Sequence, residues 1–238
     1  MPAALVTGAA SGIGLAAAER LRGDGYDVLG VDLHDADHIA DLTTREGNAG
    51  AVSAAVDAFG GLDVVVANAG VQHVAPVAEF PEDRWDTIVA LLLTSPFLLA
   101  KYAWPALARS GSGRFIAVAS VHAQVASPLK AAYVSAKHGV LGLVKTLALE
   151  GAETGITATA VCPGYVRTPL VEGQLPAHAE RLGISTEQAL EDVILAPHAI
   201  KRLIEPDEVA AVVSFLSSPA GAPFSGAPVT LDQGWTAR

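Results

Sequence analysis

The chain has 238 residues, 51% apolar and 17% charged, with a formal charge of −10 at pH 7. These figures exclude a disordered chain and leave room for a large core, and the acidity argues against nucleic acid as a partner. A single cysteine, Cys162, rules out an internal disulfide and a cysteine zinc cluster; at the end of an apolar run it reads as a buried structural thiol.

Ala3–Thr7 is a short apolar run with no basic leader before it, which predicts a soluble, cytoplasmic protein. Residues 13–21 have helical character. Between them, Thr7-Gly-Ala-Ala-Ser-Gly-Ile-Gly14 forms a strand-to-helix turn. Glycines there permit close backbone approach to a phosphate, and the helix amino terminus offers free N–H groups to it. A tight connection with no ligand is the bland alternative. Residues 27–31 form an apolar run ending at Asp32. A carboxylate there accepts hydrogen bonds from the ribose of NAD and repels the extra phosphate of NADP; Leu33, His34, Asp35 and Asp37 follow, with nothing basic among them. A solvated turn aspartate is the alternative.

Residues 62–67 are apolar and end at Asn68-Ala-Gly70. Residues 84–108 read as one long helix, whose most apolar part, 88–100, is expected to be too short to span a bilayer. Residues 115–119 form a strand ending at Ser120. Residues 131–150 form a helix that places Tyr133 and Lys137 on one face, four apart. A nearby ammonium favours the phenolate, so this pair can exchange a proton with a substrate oxygen that Ser120 holds. Residues 157–162 form a strand ending at Pro163-Gly164. Residues 168–203, rich in Pro, Glu, His and Gln, are expected to form a substrate lid. A helix at 209–216 and a short strand at Pro228–Leu231 complete the chain. Buried strands alternating with helices predict an α/β domain with a parallel sheet covered on both faces and the ligand beyond the strands' carboxyl ends. Lys130 adds a second cation, three residues before Tyr133, which suggests a substrate bearing an anion.

The glycine turn, Asn68-Ala-Gly70, Ser120, Tyr133-Val-Ser-Ala-Lys137 and Pro163-Gly164 resemble, in order and spacing, the short-chain dehydrogenase/reductase family over essentially the whole chain. The resemblance implies a single-domain, doubly wound Rossmann fold and hydride transfer between a nicotinamide and an alcohol or ketone. Ser120, Tyr133 and Lys137 would be catalytic, Lys137 also binding the cofactor ribose. Gly8, Ser11, Gly12, Ile13 and Gly14 would bind the cofactor, as would Asn68, Ala69 and Gly70. Asp32 would lie at its adenosine ribose, Asp41 and Leu42 near adenine, Thr168 at the carboxamide, and Pro163, Gly164 and Val166 beside it. A homotetramer through the helices at 84–108 and 131–150 is implied; no metal, nucleic acid or membrane is.

Gly70-Val-Gln-His73, Ser120-Val-His122, Lys130-Ala-Ala-Tyr133, Cys162-Pro-Gly-Tyr165, Gln174 and Gly234-Trp235 resemble the members of that family that act on 3-hydroxybutyrate. The resemblance implies NAD-dependent interconversion of (R)-3-hydroxybutyrate and acetoacetate, with Gln72, His122, Lys130 and Gln174 around the carboxylate and Tyr165 and Trp235 enclosing the methyl end. Three departures stand out. Leu92 falls where the family carries an asparagine that links the lysine to solvent through a water. Tyr165 replaces a tryptophan. The stretch after Asp32 leaves little room for the usual helix and resembles the hydroxysteroid dehydrogenases of the family. A reductase of larger ketones or steroids, and a weakly active NAD-binding sensor, are therefore the alternatives.

Overall fold

The computed structural model describes residues 1–237. Its sheet uses seven parallel strands: β1 (Ala3–Thr7), β2 (Asp27–Asp32), β3 (His38–Ile39), β4 (Val64–Ala67), β5 (Arg114–Val118), β6 (Thr157–Pro163) and β7 (Pro228–Leu231), in the order β3-β2-β1-β4-β5-β6-β7. The order reverses at β1, so the β1–β4 crevice is where a doubly wound sheet opens to a ligand.

Alternate strand residues enter two separate cores, which is why the strands read as continuous apolar runs. Leu5, Val65, Phe115 and Ala158 pack on one side under α2 (Arg45–Phe59), α4 (Ser95–Ser110) and α5 (Ala131–Glu150), with α3 (Glu82–Val89) leading into α4. Val6, Val64, Val66 and Ile116 pack on the other under α1 (Gly12–Gly23), with Val209 and Val213 of a helix at Pro206–Ser217.

The region after Asp32 keeps to expectation: β3 follows β2 with no helix between Asp32 and Leu42. Asp37 accepts from Arg22 Nη2 at 2.6 Å and from the Gly30 N–H at 2.8 Å, which pins the short connection from β2 to β3. The helix α2 then starts at Arg45, capped by Thr44 Oγ1 accepting from Gly47 N–H at 3.0 Å. Buried Asn48 ties it down, donating to the Leu42 and Thr44 carbonyls and accepting from Ser95 Oγ of α4 at 2.6 Å.

The apolar run at 88–100 also corrects its reading. It belongs to a continuous 29-residue helical stretch, Glu82–Ser110, long and apolar enough by length and composition to cross a membrane. Its apolarity serves packing here: α4 lies against α2 and β4, and the π-helical turn Ala90–Thr94 lies against α5. The segment 168–203 is helical, with α6 (Pro169–Glu172), α7 (Leu175–Leu182), α8 (Thr186–Ala189) and a π turn, Leu190–Ile194. Val171, Ile194, Leu195 and Leu203 give it a small core of its own, which Tyr165 joins from below. The helix at Pro206–Ser217 follows as α9.

Candidate active site

The exits of β1 and β4 are locked together by Thr7 and Asn68. Thr7 Oγ1 accepts from the Asn68 and Ala69 N–H groups at 2.9 and 3.1 Å, and Asn68 Nδ2 donates to the Thr7 carbonyl at 2.9 Å. Gly8 and Gly12 sit at φ +70° and +54°, where other residues are strained. A Cβ on Gly12 would lie 2.9 Å from Thr168 Cγ2, so the turn presents bare backbone toward the loop after β6. Ser11 stands at the N-cap of α1 without a side-chain cap bond, leaving the first-turn N–H groups available to an anion. Gly14 serves packing instead. It does not line the cleft, and a Cβ there would overlap the Gly8 carbonyl oxygen.

A cleft of about 360 Å³ opens from this turn. Asp32, Asp41 and Leu42 line one end, and Ser120, Tyr133, Lys137, Gly164 and Thr168 line the other. Gly8, Ser11, Gly12 and Ile13 lie between them with Asn68, Ala69 and Gly70; Pro163 and Val166 also reach the wall. The Asp32 carboxylate accepts from the Ala10 N–H at 3.0 Å and the Leu33 N–H at 2.7 Å. Asp41 accepts from the Thr43 N–H and hydroxyl, at 2.9 and 2.7 Å. Among the described residues Lys137 is the only lysine or arginine that lines the cleft. Its length, its bare glycine turn and the uncapped helix end fit a nicotinamide dinucleotide.

Ser120 follows β5 as the N-cap of a single 3₁₀ turn, Val121–Ala123. Its hydroxyl shares the cleft wall with the Tyr133 phenol. Burial pushes that phenol up to about 12, a shift the nearby Ser120 hydroxyl opposes. The Lys137 ammonium lies 5.6 Å from the Tyr133 ring centre and donates to the Val118 carbonyl at 2.7 Å. The expected lowering of the phenol by Lys137 is thus not what this structure displays: the ammonium is aimed at a backbone carbonyl, burial dominates the phenol, and burial pushes Lys137 itself down to about 8. Cys162 is fully buried, its thiol pushed up to about 11 by burial.

Beyond Tyr133 a second, smaller cavity of about 50 Å³ joins Gln72, His122, Lys130, Tyr165, Gln174 and Trp235. Lys130 is the N-cap of α5, not a residue on its first turn. Its side chain is buried, 4% exposed; the ammonium donates to Tyr165 Oη at 2.9 Å, and burial pushes it down to about 8. Tyr165 and Trp235 stack, with ring centres 5.4 Å apart and planes 20° from parallel. Gln72 Oε1 accepts from the His73 N–H at 3.1 Å. Gln174 donates Nε2 to the Leu170 carbonyl at 2.8 Å, while its Oε1 is buried without a partner; one helical turn on, His178 Nε2 is in the same condition. His122 lines the cavity with both ring nitrogens engaged: Nδ1 lies 3.3 Å from Ser120 Oγ and Nε2 lies 2.8 Å from Ser127 Oγ.

Two residues that support this wall from outside its lining carry no sequence signal. Ser127 holds the His122 ring. His198, fully buried, accepts from the Tyr165 N–H at 3.5 Å and lies 5.6 Å, centre to centre, from Trp235. A Cβ on Gly164 would come 2.9 Å from its Nε2, so the Pro163-Gly164 turn is shaped around it.

The family model described as enoyl-(acyl carrier protein) reductase matches residues 8–236. The chain is 41% identical to D-beta-hydroxybutyrate dehydrogenase of Rhizobium meliloti (strain 1021), covering 99% of this chain and 98% of that protein. It is 42% identical to the protein of the same name from Cupriavidus necator, again over 99% and 98% of the two chains. Among solved structures it superposes, with a TM-score of 0.93 and 32% identity, on a tryptophan variant of actinorhodin polyketide ketoreductase with NADPH, covering 100% of this chain and 98% of that one.

Proposed function

The chain belongs to the short-chain dehydrogenase/reductase family, and within it we propose that the protein is an NAD-dependent enzyme interconverting (R)-3-hydroxybutyrate and acetoacetate. The observation that carries the reading is the buried Lys130 ammonium in a cavity of about 50 Å³ beside Tyr133. A buried cation without a counter-ion is costly, and a small carboxylate compensates it. The cavity's size favours a short acid over a steroid, and Tyr165 stacked on Trp235 closes its apolar end.

Each residue has its part in the chemistry. Lys130 takes the carboxylate, with the Gln72 and Gln174 amides beside it. Ser120 holds the substrate oxygen against Tyr133. In reduction the neutral phenol donates a proton to the carbonyl oxygen; in oxidation the phenolate removes the hydroxyl proton. Lys137 fixes the ribose side of the cofactor. When bound, the nicotinamide supplies the hydride acceptor or donor. NAD over NADP is supported by the Asp32 carboxylate at the cleft's edge and by the want of any other cation along the described wall, although the solved ketoreductase holds NADPH. Phe97 of α4 and Leu149 of α5 are exposed apolar residues, which supports a homotetramer through the two long helices.

The test is the nicotinamide absorbance change with each 3-hydroxybutyrate enantiomer, using NAD and then NADP. Turnover of the R form with NAD supports the reading; NAD binding without turnover of either enantiomer overturns it.

A further inference from the structure

The phenol of Tyr133 must exchange its proton with solvent once per turnover, and one side of the ring is hydrocarbon. Tyr133 packs there against Ile88, Leu92, Ala132 and Ala136. Leu92 lines the cleft with no group that can hold or pass a proton. The other side is polar. The Ser120 hydroxyl lines the same cavity wall as the phenol, His122 Nδ1 stands 3.3 Å from Ser120 Oγ, and His122 Nε2 stands 2.8 Å from Ser127 Oγ.

We propose that Ser120, His122 and Ser127 form a proton path from Tyr133 to solvent. Ser127 is half-buried at the rim, in the loop that leads into α5. That loop is fixed: Leu129 is held at φ +69°, with its carbonyl accepting from the Ala75 N–H at 3.0 Å. The His122 ring is clamped edge-on by Trp235 at 5.4 Å and by Tyr133 at 5.8 Å. Burial, then the Lys130 charge and His138, hold the imidazole down to about 3, so it stays neutral at physiological pH. A neutral imidazole has one donor and one acceptor nitrogen, as a link between two hydroxyls requires. The Ser120 Oγ already accepts from the His122 N–H at 3.1 Å, which leaves its own proton free to move along the path.

In oxidation the carbinol carbon gives up its hydride to the nicotinamide, and its hydroxyl proton passes to the Tyr133 oxygen. Tyr133 donates to Ser120 Oγ. The Ser120 proton moves to His122 Nδ1, the Nε2 proton moves to Ser127 Oγ, and Ser127 releases its proton to water. One proton leaves for each hydride transferred. The two hydroxyls rotate, and the imidazole loses its Nδ1 proton and regains one at Nε2 by exchange with water, which restores the starting arrangement. Reduction runs the same path inward. Ser127 acts through His122 and is a positioning residue that relays charge; it has no contact with substrate to make.

The path rests on the oxidoreductase reading but not on the choice of substrate, so it is tested with both (R)-3-hydroxybutyrate and a neutral secondary alcohol such as 2-butanol. Ser127→Ala should lower kcat for oxidation about 100-fold, the low end of the range for lost acid–base assistance. The solvent deuterium isotope effect on kcat should rise, while KM and NAD affinity stay unchanged. Added imidazole buffer should restore part of the Ser127→Ala rate and leave the wild type untouched, and Ser127→Thr should recover most of the loss. A Ser127→Ala enzyme with wild-type kcat and isotope effect overturns the path. So does a loss that appears in KM and ignores buffer, which would mark Ser127 as support for the ring alone. Wild-type turnover of the neutral alcohol without the acid overturns the substrate assignment and leaves the path to be read on that alcohol. A wild type inert with both alcohols overturns the path as well.

Discussion

The Lys130 ammonium donates to the Tyr165 hydroxyl at 2.9 Å and lies 4.9 Å from the centre of the same ring. One aromatic residue therefore both satisfies the cation and lines the cavity that the cation faces. An ammonium has three protons to donate, so two remain for a ligand. Lys130→Ala should lower kcat/KM for hydroxybutyrate about 100-fold, the scale of charge-assisted hydrogen bonds lost at a buried site. Turnover of a neutral ketone should change little. Steady-state kinetics on the two substrates side by side reads the difference.

The same burial makes recognition depend on pH. Lys130 is charged below about pH 8 and neutral above it. Lys137 titrates in the same region, but it serves acid and neutral substrates alike. The ratio of kcat/KM for the hydroxy acid to that for a neutral alcohol should therefore fall above pH 8, by about tenfold per pH unit. A ratio flat from about pH 6 to about pH 10 would remove the lysine from recognition.

Stability should move the opposite way. The unfolded chain keeps this lysine protonated up to its ordinary value of 10.5, whereas the folded chain releases the proton near 8. Between those values the unfolded state binds more protons, so the Lys130 contribution to stability rises with pH, and below about 8 its full cost applies. Lys130→Met removes that cost and leaves the Tyr165 hydroxyl without its donor. A net gain of about 2 kcal/mol at pH 7 is expected, measured by chemical denaturation.

Tyr133→Phe removes the proton carrier and keeps the ring that packs on Ile88 and Leu92. Turnover should fall by about 10³-fold or more. NAD binding, followed by calorimetry, and the melting temperature should hold near wild type.

Gly14→Ala should damage the fold and not the chemistry directly. The added methyl overlaps the Gly8 carbonyl and presses on Asn68 Nδ2, 2.5 Å from its position. Both belong to the β1–β4 lock. A loss of about 3 kcal/mol is expected from overpacking against backbone, visible in thermal denaturation without cofactor.

What could be read from the chain beforehand was what repeats locally. Tyr133 and Lys137 share a helix face because four residues make about one turn. Asp32 and Asn68 end strands, and strand ends gather at one edge of a parallel sheet. The helix Arg45–Phe59 escaped because its buried face is small, made of Ala51, Val52 and Ala55, and Gly47 and Gly50 weaken its helical character. His198 and Ser127 escaped for another reason. His198 meets Tyr165 across 33 positions, and the Ser127 bond to His122 closes across an irregular loop. No period or spacing encodes either contact.

The strand order has a consequence for how the protein is made. Of the seven strands β1 leaves the ribosome before the others, and its neighbours are β2 on one side and β4 on the other. The β4 partner lies about 60 residues downstream, as the pairing of Ala4 with Val64 records. Until β4 emerges, β1 has one bare flank, apolar on both faces, in a chain whose sheet closes mainly by distant pairings. Sheets of that kind form slowly and expose strand edges while they wait. Nascent chains halted before residue 64 should therefore bind chaperones and aggregate, and those halted beyond it should begin to resist protease.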